Sequence, residues 1–119
     1  MKYPWYIIIL YILLSEPIWS QAVEGRNEWT HQQWLERYAL LNADYRKKPL
    51  DVMINIQLSD YYADTLCPIR NLPLAMQHIT QAETQFIRIL NDNKSYREAS
   101  RLIRQHVNLT MLRNKRQQI

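Results

Sequence analysis

Residues 50–90 run LDVMINIQLSDYYADTLCPIRNLPLAMQHITQAETQFIRIL. Apolar residues recur there at helical spacing, first at Leu50, Ile54, Leu58, Tyr61 and Tyr62, then at Ala75, Ile79, Ala82, Phe86 and Ile89 or Leu90. A period near 3.6 marks one buried stripe on each of two helices. Pro68 and Pro73 keep residues 66–73 from joining them, because proline lacks the donor N–H and clashes with the preceding turn. The pattern predicts helices over 50–64 and 72–90. Pro49 and Pro73 suit opening turns, where a missing N–H leaves no bond unmade.

The same reading extends to both sides. Upstream, Thr30-His31-Gln32-Gln33 is a capping box, with Trp29 placed to staple onto Trp34. Trp34, Tyr38, Leu41 and Tyr45 follow at helical spacing, predicting a helix over 31–47 that ends in cationic Arg46-Lys47-Lys48. Downstream, Asn91-Asp92-Asn93 is a turn signal, and Ser95 with Glu98 forms a second capping box. It opens a helix expected over 96–114, with Ala99, Leu102, Ile103, His106, Val107 and Thr110 on one face and Arg97, Arg101 and Arg104 on the other. Helix following helix with short connections predicts an all-α fold of about four antiparallel helices.

Composition narrows the chemistry. The chain of 119 residues holds a single Gly, Gly25, and a single Cys, Cys67. One glycine argues against loop-built phosphate and dinucleotide sites. One cysteine excludes a disulfide framework within the chain and any multi-cysteine zinc site. Net charge is +4 overall, but seven basic residues from Lys94 onward face one acid, Glu98, so the remainder is net acidic.

The N-terminus has the order of a secretory signal peptide: Lys2, an apolar run through Leu14, then Ser15-Glu16-Pro17 and small residues at Ser20 and Ala22. The run is too short for the roughly 20 residues that span a bilayer. Cleavage after Ala22 is expected, with Ser20 the second choice. Residues 1–22 are then the signal peptide and 23–119 a single helical domain, secreted or periplasmic. In an exported chain Cys67 is a buried thiol, an intermolecular disulfide or a reactive group; its apolar loop favours burial.

The middle of the chain resembles a tetratricopeptide repeat, a helical hairpin of about 34 residues. Leu58, Ser59 and Tyr62 stand for the large, small and tyrosine positions of the first helix, and Ala75, Ile79 and Ala82 for the small, large and alanine positions of the second. Pro49 lies where the family often ends the preceding helix, and the loop between Tyr62 and Ala75 is longer than the family's. The resemblance implies protein or peptide binding along the first helix, with Met53, Ile56, Asp60 and Asp64 as its groove-facing positions.

No catalytic constellation stands out. His31, His78 and His106 fall on three different predicted helices without a ligand at metal spacing. Cys67 and His78 flank one loop but lack an orienting third group. Asp60 and Asp64, one turn apart, read as solvent-facing helix residues. Asn93-Lys94-Ser95 and Asn108-Leu109-Thr110 match the glycosylation pattern at about the chance rate. The expected function is that of an exported, non-catalytic protein-interaction or scaffold module with no cofactor and no metal. Its expected partner is another protein or peptide, or a second copy, since few repeats bury a marginal core. Membrane contact is expected only through the signal peptide before cleavage. The alternative is nucleic-acid or anionic-surface binding through Arg97, Arg101, Arg104 and the Arg113–Arg116 end; it lacks the interleaved exposed aromatics of single-strand binders.

Overall fold

A computed structural model describes residues 28–119. The expected signal peptide lies outside the described residues. Within them the chain is all-helical: α1 (His31–Lys47), α2 (Val52–Ala63), α3 (Leu72–Asn91), a 3₁₀ turn (Asn93–Ser95), α4 (Tyr96–Arg104) and α5 (Leu109–Gln118), with no strand.

Four of the five α-helices start where a short polar side chain takes over an orphan backbone donor, α4 being the exception. Thr30 and Gln33 form the expected capping box at α1. Trp29 meets Trp34 edge-on at 4.8 Å, as the staple requires. Asp51 caps α2 by accepting from Ile54 N at 3.0 Å. That cap corrects the expected start at residue 50: Leu50 falls outside the helix and is 51% exposed, not part of the buried stripe. Asn71 caps α3 through Leu74 N, with Pro73 in the first turn. Ala75, Ile79, Ala82, Phe86 and Ile89 are buried along α3, and Leu90 is the stripe candidate that is left exposed.

The second expected capping box is not formed. Ser95 donates its hydroxyl to Asp92 Oδ2 at 2.8 Å and makes no side-chain cap bond to α4. Asp92 instead accepts from Lys94 N and sets the 3₁₀ turn, while Glu98 lies 3.7 Å from Arg101. Two acceptors on one carboxylate thus redirect the serine that the pattern assigned to the helix.

The expected helix over 96–114 is broken in two. His106 has φ +65°, the left-handed region. Val107 N bonds to Leu102 O and His106 N to Ile103 O, both at 3.0 Å. This is the paired pattern of a Schellman stop, with Leu102 and Val107 buried together beneath it. Asn108 then caps α5 by accepting from Met111 N at 2.8 Å. Of the predicted face, Ala99, Leu102 and Val107 are buried, but His106 and Thr110 are exposed and Ile103 is 55% exposed. The bend turns α5 back onto α3, and residues past it change face.

Packing divides into two clusters that share the α2–α3 pair. α1 lies against α2, and its Trp34 and Leu41 join Leu58, Tyr61, Tyr62, Cys67 and Ala75. This cluster is aromatic: Trp34 meets Tyr61 at 5.5 Å and Tyr38 meets Tyr62 at 6.1 Å, both edge-on. α4 and α5 lie against α3, and Leu102, Val107 and Leu112 join Val52, Ile56, Ile79, Ala82, Phe86 and Ile89. Where α2 and α3 meet, small residues permit close approach: Ser59 Oγ donates to Ala75 O at 2.8 Å, and Ala75 and Ala82 are fully buried.

Candidate interaction surface

One side of the α2–α3 pair combines apolar residues with carboxylates. α2 contributes Met53, Ile56 and Asp60, and α3 contributes Glu83. Glu83 follows Ala82 and precedes Phe86 by three, so it stands at the margin of the buried stripe and is only 7% exposed. A carboxylate taken this far out of water is tolerable only with a cation beside it.

α5 supplies those cations. Arg116 Nη1 lies 2.8 Å from Glu83 Oε2, and Arg113 Nε donates to Glu83 Oε1 at 3.4 Å, so each carboxylate oxygen faces its own guanidinium. Lys115 Nζ donates to both oxygens of Asp60, at 2.9 and 3.1 Å. Leu112, fully buried, sits in the aliphatic cluster with Ile56, Ile79 and Phe86. α5 therefore presents one fully buried leucine, with Leu109 and Met111 partly buried beside it and three cations, to an apolar surface carrying two carboxylates. The backbone of α5 runs beside α3, and the long Lys115 side chain reaches across to α2.

The four positions nominated from the repeat resemblance are placed as follows. Met53 is half-buried against the aliphatic cluster, and Ile56 is buried within it. Asp60 holds Lys115. Asp64 lies at the C-terminal end of α2, where its Oδ1 accepts from Leu66 N at 2.9 Å and shapes the following loop. The structure brings Met53, Ile56 and Asp60 to the α5 side and leaves Asp64 in the loop. Glu83 escaped the sequence reading. Its signal was a carboxylate interrupting the edge of an apolar stripe, with unmatched cations near the chain end.

Those cations also bear on the basic C-terminal region. Arg113, Lys115 and Arg116 are paired with the chain's own acids, and Arg101 faces Glu98.

Beside this surface, α2 and α3 share a buried polar contact. Asn55 Nδ2 donates to Pro49 O at 2.9 Å and Asp51 O at 2.8 Å, which fixes its amide orientation. Its Oδ1 is then the acceptor facing His78 Nδ1 at 2.8 Å, so His78 carries its proton on Nδ1. The ring stacks on Tyr62 and meets Tyr45 edge-on. Burial holds the imidazole below its ordinary pKa.

Cys67 is buried, as expected, and burial pushes its thiol pKa up, which favours the unreactive protonated form. Tyr61 is likewise pushed up by burial, and its hydroxyl donates to Trp34 O. Among the described residues no cluster of three metal-ligating side chains occurs, and no helix is long and apolar enough to cross a membrane. An open cleft of about 340 Å³ between the α1–α2 turn, α3 and α4 is lined by Lys48, Asp51, Glu98 and Arg101 among others, mixing both signs of charge. Comparison with known proteins gives no match, whether to a family model, a curated protein or a solved structure.

Proposed function

We propose that this chain is an exported, non-catalytic helical module that binds another protein, with α2–α3 as a tetratricopeptide-like hairpin and its α5-facing side as the binding surface. The observation that carries the reading is the seating of α5. A basic amphipathic helix rests there by one buried leucine and three ion pairs, and a partner helix of the same character meets the same complementarity. Close approach of α2 and α3 at Ser59, Ala75 and Ala82 supports the hairpin assignment.

A test releases α5 without removing it. Leu112→Asp places a carboxylate in the aliphatic cluster and beside Glu83, which should undock α5. The expected result is a helical chain by circular dichroism that binds a labelled peptide of residues 108–119 saturably in fluorescence polarisation. A helical variant with no affinity for the peptide overturns the reading, and so does global unfolding, which would make α5 an inseparable part of the core. Export has its own check: sequencing material from the exported compartment should begin at Val23, or at Gln21, and an intact Met1 there contradicts it.

A further inference from the structure

α4 and α5 are separated by a bend whose one local sequence signal is Asn108, the cap of α5. Residues 104–108 read Arg-Gln-His-Val-Asn, with neither glycine nor proline, and the apolar pattern runs through them at helical spacing. The Schellman stop puts a β-carbon where glycine is the favoured residue, at His106 with φ +65°. Local preference thus points to one continuous helix from Tyr96 to Gln118, while tertiary contacts hold the bent form. Beside the local Schellman bonds and the Asn108 cap, the contacts that hold it are Leu112, Val107 and the pairs of Arg113, Lys115 and Arg116 with Asp60 and Glu83.

We infer that this chain exchanges α5 between two copies: α4 and α5 straighten into one helix, and the α5 of each copy seats on the α2–α3 surface of the other. The inference rests on that surface being the seat of α5, as proposed above. Every side-chain contact of α5 is remade in the exchanged dimer, because the two surfaces are identical. What differs is the hinge, where the left-handed residue is relieved and helical hydrogen bonds replace the stop. Ile103, one turn before the bend, is 55% exposed in the single copy and free to pack against a second chain. The occupant of the surface is therefore a second copy of this chain, selected by its own charge pattern.

The contact between Asp60 and Lys115, a carboxylate and an amine 2.9 Å apart, reports the exchange directly, because a carbodiimide joins them as an amide with loss of water. Residues 23–119 with natural-abundance and ¹⁵N labels are refolded together, separated by size, coupled, and digested for mass spectrometry. The dimer fraction should give Asp60–Lys115 links of which about half join a labelled to an unlabelled chain, and the monomer only uniform links. His106→Gly favours the bend and should raise the dimer dissociation constant about 25-fold, roughly fivefold for each of two hinges. His106→Ala favours the straight helix and should lower it several-fold. Only uniform links in a dimer, or no dimer at millimolar concentration with either native His106 or Ala, overturns the exchange and leaves the binding surface standing. Absence of the Asp60–Lys115 link from every species removes the seat of α5 and both proposals with it.

Discussion

Replacing Asn55 with alanine should destabilise the folded chain by about 2–4 kcal/mol, measured by urea denaturation. Asn55 is fully buried at the start of α2 and joins three segments: its amide donates to Pro49 O and Asp51 O and accepts from His78 of α3. The two carbonyls keep other donors. Gln81 Nε2 reaches Pro49 O at 3.1 Å, and Asn55 N itself bonds to Asp51 O. His78 Nδ1–H loses the acceptor that Asn55 Oδ1 supplies, so the orphaned donor dominates the cost. A loss below about 1 kcal/mol would mean that water replaces the amide.

The same site should make stability fall on acidification. Burial lowers the His78 pKa below the ordinary 6.5, so between those two values the unfolded chain binds a proton that the folded chain does not. The contribution is intact above about pH 6.5 and is lost as pH drops from there toward the lowered folded value. The groups seen against the ring are neutral: the Tyr62 and Tyr45 phenols and the Asn55 amide. Denaturation midpoints across pH 7.5 to 5 should flatten in His78→Gln; equal slopes in both proteins would locate the acid sensitivity elsewhere.

Ala82→Leu should cost about 1–3 kcal/mol, whereas Arg101→Gln should change stability by no more than about 0.5 kcal/mol. Ala82 is fully buried in the aliphatic cluster with Val52, Ile56 and Phe86, so a leucine side chain there must displace neighbours or distort rotamers. Arg101 is exposed on α4 and lies 3.7 Å from Glu98, a loose surface pair. Both positions are helix interiors and neither replacement breaks a helix, so the contrast isolates packing. A neutral or stabilising Ala82→Leu would show that the α2–α3 approach is not close there, and would remove the main physical support for the hairpin assignment.

Local rules alone were enough for much of this fold. Helical periodicity placed α1 and α3 within a residue of their observed bounds, because their apolar stripes are long and each has a start signal, the Thr30 capping box for α1 and Pro73 for α3. Prolines at 68 and 73 placed the loop between α2 and α3, since a missing donor and a ring clash act on the nearest turn whatever surrounds it. The same locality left the surface that seats α5 only half visible: of Met53, Ile56, Asp60 and Asp64 on α2, the first three face α5 and Asp64 lies at the loop, while Glu83 on α3 was not named. A carboxylate beside an apolar stripe has no partner within one helix turn, and its guanidiniums lie thirty residues or more along the chain. The bend at His106 was hidden for the same reason. A left-handed His106 is locally unfavourable, and the Schellman bonds and Asn108 cap are completed by long-range contacts: burial of Leu112 and Val107 and the ion pairs with α2 and α3. Sequence determined where backbone donors and apolar periods start and stop helices; tertiary structure decided where the chain turns against its local preference, because only contacts distant in sequence outweigh that cost.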